Sequence, residues 1–317
     1  MSTATKVPQT RLMSGDELSA DDAWATLRRR RLTSIVRDSF VRFRYADGFS
    51  HARALAFQVC LSVIPAVIAF VGLSATLHHG GAGQVFEGVL ERITPGASEQ
   101  VVRNALETGR ARGQDDALAL WLGLATALVS MTTAMGQIER GANRIYGVER
   151  DRPSMRKYGN ALLLVLIAGL PMAAGLVVTG AGGPLGDALA QVYHWSSGER
   201  TAWQVARWPF GVLLALTSAS AIFRRAPRRR QPGMSWLAVG AALSLALWAG
   251  LTALLGWYVG GSSSALGATY GPLTAIIVLM VWANLTSIAL FLGLAVAAQL
   301  EACRSGSRPP ASEDPGT

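Results

Sequence analysis

The chain has 317 residues, with 29 Lys and Arg against 20 Asp and Glu for a formal charge of +9; half of the residues are apolar and only 15% are charged. Average soluble domains carry roughly 25% charged residues, and here no Asp, Glu, Lys, Arg or His occurs from Gln231 to Leu300, which excludes an ordinary soluble fold. A disulfide-stapled secreted domain is excluded too, because Cys60 and Cys303 are the only cysteines and Cys60 lies inside an apolar stretch.

Residues 1–31 are polar, small and basic without a period, and are expected to form a disordered cytoplasmic arm. Next, Leu32, Ile35, Val36, Phe40 and Phe43 recur at helical spacing while Arg37, Arg42 and Arg44 take other faces. That pattern predicts an interfacial amphipathic helix. Beside it, Arg28 to Arg31 either meet anionic lipid or serve topology and anchoring alone.

A helix needs about 20 mostly apolar residues to cross a bilayer. Six such stretches fall within residues 32–302, at about 54–77, 117–138, 160–182, 206–223, 235–259 and 272–300. The expected fold is therefore all-α, a polytopic membrane bundle of six transmembrane helices with added interfacial amphipathic helices. The fourth span is the weakest, since Arg207 starts it and Pro209 follows; Gly260 to Gly271 reads as a loop. An external loop over 78–116 carries the stripe Val85, Phe86, Val89, Leu90 and Ile93, with a second short helix from Ser98. Residues 303–317 read as a disordered cytoplasmic tail.

Cytoplasmic flanks hold the Lys and Arg excess. Placing both termini in the cytoplasm puts 23 of the 29 basic residues inside and six outside, which fixes the orientation. No cleavable signal peptide precedes the first span, which is expected to act as its own signal. Arginine outnumbers lysine by 27 to 2, a codon signature of a GC-rich genome, and the expected location is a bacterial plasma (inner) membrane.

The spacing reveals no catalytic, metal or cofactor site. His51, His78, His79 and His194 have no H-x-x-x-H partner or adjoining acidic cluster, and no phosphate-binding G-x-x-x-x-G-K-[ST] loop occurs. The basic segments flank apolar spans on the side where topology already demands positive charge, so nucleic acid is not an expected partner.

Polar residues inside spans are costly and face a partner or a cavity. Gln58, Ser62 and Pro65 share one face of the first span, Ser130, Thr133 and Gln137 one face of the second, and Asn284 and Ser287 one face of the sixth, beside Trp282. These stripes either line a hydrophilic cleft or supply interhelical hydrogen bonds. Pro171 and Pro209 predict kinks or half-helices. Small residues at four-residue spacing, Gly256 with Gly260 and Ala289 with Gly293 and Ala297, predict close helix contacts and permit a homo-oligomer.

Several blocks in one order resemble the YihY/virulence factor BrkB family: Arg53-Ala-Leu-Ala-Phe57 with Leu61-Ser62-Val63-Ile64-Pro65, then Ala142-Asn143-Arg144-Ile145-Tyr146-Gly147-Val148, then Pro232-Gly233 to Trp248, then Thr269-Tyr270-Gly271 with Trp282. The resemblance covers roughly residues 33 to 301 and implies a six-span bacterial inner-membrane protein. Members have often carried the label ribonuclease BN, and nothing in this sequence supplies the metal site such an enzyme needs. The family's closing motif usually reads G-A-E-L-N, whereas here Gly293 is followed by Leu294, Ala295, Val296 and Ala297; any role of that Glu or Asn does not carry over.

Together these features lead to a non-enzymatic envelope protein that helps move or distribute a lipid or another amphiphile. Arg53 would meet anionic membrane lipids at the inner interface, and Gln58, Ser62 and Asn284 would line a headgroup route. Two alternatives stay open: a structural adaptor recruiting an envelope protein partner, and a small-solute permease.

Overall fold

The computed structural model describes residues 6–9, 18–77, 116–270, 273–307 and 310. The described residues form helices and connections, with no strand among them. In chain order these are α1 (Ala20–Arg29), α2 (Leu32–Tyr45), α3 (Gly48–Leu77) and α4 (Asp116–Ile145). Then come α5 (Ser154–Leu164 and Leu170–Tyr193, joined by a π turn over Val165–Gly169), α6 (Ser197–Arg225), α7 (Met234–Tyr270) and α8 (Leu273–Arg304). Four segments among the described residues are long and apolar enough to cross a membrane: Ser154–Thr179, Ser197–Arg225, Met234–Gly261 and Leu273–Arg304. α3 and α4 are 30 residues each, about 45 Å long at 1.5 Å per residue.

Four boundaries differ from the sequence-based expectation. Part of the arm expected to be disordered is α1. Ser19 and Asp22 form a capping box, the Asp22 carboxylate accepting from the Ser19 amide at 3.2 Å. Acidic Asp21 and Asp22 in the first turn and Arg28 and Arg29 in the last suit the helix dipole. Ala23 and Thr26 are buried, and α1 packs on α7 and α8. The extended segment at Val7 is also held, its amide donating to the Tyr146 carbonyl at 3.2 Å.

Likewise, α6 begins nine residues before the span expected at 206. There Ser196 and Glu199 form a second capping box, the Ser196 amide donating to Glu199 Oε2 at 2.7 Å. α7 runs through the segment expected to be a loop after Gly260, as far as Tyr270. Each interior glycine costs a helix only about 1 kcal/mol, and unpaired backbone groups cost more in hydrocarbon. Finally, α8 continues past 302 to Arg304 and closes in a Schellman turn. Gly306 takes φ +71, and the Ser307 amide donates to the Ala302 carbonyl at 3.0 Å.

The π turn answers Pro171. Proline lacks an N–H and its ring clashes with the carbonyl four residues earlier. The widened turn lies just before it, with the Leu170 amide donating to the Val165 carbonyl. Pro209 and Pro65 are each carried inside a helix, α6 and α3.

Consecutive long helices pair: α3 with α4, α5 with α6, α7 with α8; α8 also packs on α3 and α2. Where lipid surrounds the helices no hydrophobic force separates helix from tail, so close backbone approach must hold the pairs. In α5–α6, Gly175 and Thr179 meet Gly211, and Gly186 faces Trp203, whose Nε1 donates to the Gly182 carbonyl at 2.5 Å. In α7–α8, a methyl group on Gly293 would collide with the Gly240 carbonyl oxygen and Ser244 Oγ. Ser244 Oγ also donates to the Ala289 carbonyl at 3.1 Å. The expected contacts at Ala289, Gly293 and Ala297 are therefore present. At Gly256 and Gly260 an added methyl group would meet no described atom within 4 Å.

At one end of the bundle Ile35, Phe43, Tyr146, Phe223, Trp236, Phe291 and Leu300 form the most deeply buried core. We expect Gly293→Leu to lower stability by about 1–3 kcal/mol or more through overpacking, seen as a lower thermal unfolding midpoint in detergent. Gly256→Leu, set against open space, should leave that midpoint unchanged.

Candidate functional site

Three of the polar positions expected to line a cleft form one layer. Thr133 Oγ1 on α4 donates to Gln58 Oε1 on α3 at 3.2 Å, joining the first two stripes. Below them α3, α4 and α8 meet: the His51 and Phe291 rings are 6.5 Å apart, and Gly141 leaves room for both side chains. Gln58 lies seven residues along α3 from His51, and Asn284 seven residues back along α8 from Phe291. The C-terminal ends of α4 and α8 share Arg229, which lies against Tyr146 and Glu301. Since α3 runs opposite to α4, it also runs opposite to α8. Two turns of each helix span about 10 Å, so Gln58 and Asn284 share one depth and the faces that meet at His51 and Phe291. Asn284 Oδ1 is buried and has no hydrogen-bond partner among the described residues.

The other expected positions separate. Ser62 Oγ donates to the Val59 carbonyl at 2.7 Å and Ser287 Oγ to the Ala283 carbonyl at 2.8 Å, so both turn back on their own helices. The Ser130 carbonyl accepts a second bond from Thr133 Oγ1 at 2.7 Å. Pro65 and Gln137 are half-buried at the flanks of the layer. Trp282 Nε1 donates to Thr252 Oγ1 at 3.2 Å, a pin between α8 and α7. Arg53 is exposed and its Nη2 donates to Ser50 Oγ at 3.3 Å. Gly271, His78, His79 and the loop over 78–115 lie outside the described residues.

The block from Asn143 to Val148 ends α4. Gly147 takes φ +72, the Val148 amide donates to the Asn143 carbonyl at 2.8 Å and the Gly147 amide to the Arg144 carbonyl at 3.0 Å, a Schellman turn. The Asn143 side chain joins two loops: Nδ2 donates to Asp151 Oδ1 at 2.9 Å, and Oδ1 accepts from the Arg228 amide at 2.7 Å. Arg144 Nη1 donates to the Glu149 carbonyl at 3.3 Å. Tyr146 is buried under Arg229, whose guanidinium lies 4.8 Å from the ring centre. Burial pushes its phenol upward, with the Glu301 charge adding to the effect.

Around this turn lies a polar cluster that no spacing in the sequence reveals, because its members come from six separate segments. Arg229 pairs with the buried Glu301 and donates through Nη1 to the Val7 carbonyl at 3.0 Å. Arg152 pairs with the buried Glu139 at 2.9 Å and donates to the Ala226 and Pro227 carbonyls at 2.8 and 3.1 Å. Lys157 Nζ lies 3.3 Å from Asp151. Arg42 on α2 donates from Nε and Nη2 to Gln299 Oε1 at 3.1 and 3.0 Å, and burial lowers its guanidinium to about 10. His51 is also lowered by burial, with Asp47 opposing. Among the described residues no group of three His, Cys, Asp or Glu is placed to hold a metal ion. The cluster joins segments, whereas in the Gln58 layer Asn284 Oδ1 is left without a partner among the described residues.

The comparisons agree with this architecture. Residues 39–316 match the family described as Virulence factor BrkB. The chain belongs to the virulence factor BrkB family. A relative in Bacillus subtilis (strain 168), named "Putative ribonuclease-like protein YfkH", is 26% identical over 260 residues, covering 82% of this chain and 92% of its own length. No solved structure gives a significant match. The BrkB match begins inside α2, so α1 and Arg28 to Arg31 precede it.

Two outcomes follow for the polar cluster. Glu301→Leu should destabilise the protein by about 3–5 kcal/mol, the usual consequence of leaving a buried partner such as Arg229 uncompensated. Arg229→Met combined with Glu301→Leu should recover most of that loss in thermal unfolding. For Asp151, burial alone would raise the carboxyl. The hydrogen bond from Asn143 and the charges of Lys157 and Arg140 outweigh it and hold the group below the ordinary 3.8. A depressed folded-state value stabilises the fold above the ordinary value and ceases to do so as pH falls below it. Wild type should therefore lose stability between about pH 5 and pH 3 more steeply than Asp151→Asn in acid titrations followed by unfolding midpoint.

Proposed function

We propose that this BrkB-family membrane protein is a six-span plasma-membrane protein with both termini cytoplasmic, and that it helps a lipid or other amphiphile pass or redistribute across the bilayer without enzymatic chemistry. The carrying observation is the polar layer of Gln58, Thr133 and Asn284 at the meeting of α3, α4 and α8. All three residues are half-buried, and so is the neighbouring Ser62. They stand at the edge of the bundle, between the core and exposed Phe57 and Leu61. That position suits an amphiphile, whose headgroup takes the polar contacts while its chains stay in lipid. Arg53, exposed near the start of α3, would meet anionic headgroups at the inner interface.

The orientation is supported by the placing of the basic loops. Tyr146, Asp151, Arg228, Arg229, Arg304 and the Val7 segment gather at one end of the bundle, as the positive-inside rule requires of a cytoplasmic end. The ribonuclease-like name of the Bacillus subtilis protein offers another reading. The described residues of this chain bring together no metal-holding group, and the polar cluster is consumed in joining segments, so lipid handling is the better supported reading.

In vesicles carrying a fluorescent lipid, Gln58→Leu with Asn284→Leu should slow lipid movement about tenfold, the rate equivalent of about 1.4 kcal/mol or one net hydrogen bond. The unfolding midpoint should remain near that of wild type. Unchanged lipid movement by a correctly folded variant would overturn the proposal and leave recruitment of a protein partner as the better reading.

A further inference from the structure

We propose that α1 and α2 form a docking surface for anionic phospholipid headgroups of the cytoplasmic leaflet. This rests on the orientation argued above and not on any movement of lipid.

α2 has two different faces. Ile35, Ser39, Arg42 and Phe43 are buried and hold the helix against the end of α8. Leu32, Val36 and Phe40, at four-residue spacing, are exposed at 66%, 58% and 47%. Three large apolar side chains left in water would be costly, and the neighbouring helix indicates what would cover them. The Phe40 ring stands edge-on to Phe49 at 6.3 Å, and Phe49, Phe57 and Leu61 form an exposed stripe on α3. The apolar face of α2 thus meets the exposed face of α3, on which Arg53 stands between Phe49 and Phe57. It lies where that surface reaches the headgroups, because the polar cluster of the basic end starts immediately behind it at Arg42 and Gln299.

The charge at the junction of α1 and α2 completes the surface. Arg28, Arg29, Arg30 and Arg31 are all exposed, and none forms an ion pair with an acidic side chain among the described residues. Of the acidic residues of α1, Asp22 closes the capping box and lies 3.5 Å from Arg304, and Asp21 stands about two turns from Arg28. Arg28 instead stacks on the exposed Trp24 ring at 5.4 Å. An exposed indole beside guanidinium groups, level with an apolar helix face, fits the interfacial zone of a bilayer. The positive-inside rule explains why basic residues lie on this side. It does not require them to converge on one turn beside exposed Trp24, Leu32, Val36 and Phe40.

The test is hydrogen exchange of the full-length protein in nanodiscs, followed over residues 20–45. Phosphatidylcholine discs are compared with discs containing phosphatidylglycerol. Each basic group near an anionic surface contributes roughly fivefold in binding, so exchange should slow at least about fivefold in the anionic discs. R28Q/R29Q/R30Q/R31Q should abolish the difference while keeping the phosphatidylcholine rates. The corresponding four Lys substitutions should retain it and show that the segment still folds. Equal exchange of the wild type in both compositions, or a difference that survives in the Gln variant, would overturn the docking surface. Neither result bears on lipid transfer past Gln58, whose own failure would appear only in the vesicle assay.

Discussion

Arg229 is the point on which the basic end of the bundle closes. Its guanidinium faces Glu301 at the end of α8, covers the Tyr146 ring at the end of α4 and donates to the Val7 carbonyl. One side chain therefore ties two long helices, the loop before α7 and the N-terminal segment. Arginine suits this position because its planar fork can serve an ion, an aromatic face and a carbonyl together. A buried ion pair adds little net stability over a well-packed apolar substitute. What it adds here is register, since the ion pair, the ring contact and the bond to Val7 form together only when these segments are in place.

From that end outward the means of holding the helices changes. Near Arg229 the core contains large side chains, Trp236, Phe223 and Phe291 among them. Further along, α7 and α8 approach through Gly240 and Gly293, and α5 and α6 through Gly175 and Gly211, with Ser244, Trp203 and Trp282 supplying hydrogen bonds between helices. α8 takes part in nearly all of it. It carries Asn284 in the polar layer, Gly293 at the closest helix contact, Gln299 against α2 and Glu301 against Arg229. A shift of α8 along its axis would disturb all four together, which makes it the element through which the interfacial helix and the polar layer are mechanically linked.

The all-helical character and the four apolar spans among the described residues were legible because they depend on short-range pattern, apolar length and period. The small-residue seam at Ala289, Gly293 and Ala297 could be read for the same reason, as a spacing on one helix face. The spacing at Gly256 and Gly260 has no counterpart among the described residues, since spacing says that a backbone can be approached and not that a helix lies opposite. α1 was missed although Ser19 and Asp22 spell its cap, because a ten-residue segment whose apolar residues are mostly alanine looks alike whether free or docked. The polar cluster was illegible in principle. Asn143, Asp151 and Arg228 meet only after three helices have packed, and the sequence around each of them shows a helix end or a basic loop and nothing more.

The chemistry of the layer at Gln58 limits what it can accommodate. Thr133 and Gln58 already satisfy one another in part, Asn284 retains an unused acceptor, and no charged residue lies on these faces from His51 outward on α3 or from Phe291 outward on α8 except Arg53 at the entrance. An inorganic ion stripped of water would find dipoles but no countercharge, and a charged group at the bilayer centre costs about 3 kcal/mol even on the most lenient scales. A small hydrated solute would need an enclosed aqueous space, whereas these residues are half-buried beside exposed Phe57 and Leu61. A headgroup attached to acyl chains needs neither. Its chains would stay in lipid and its polar atoms would meet amide and hydroxyl groups at mid-depth, while arginine at the basic end would meet a net charge only at the interface.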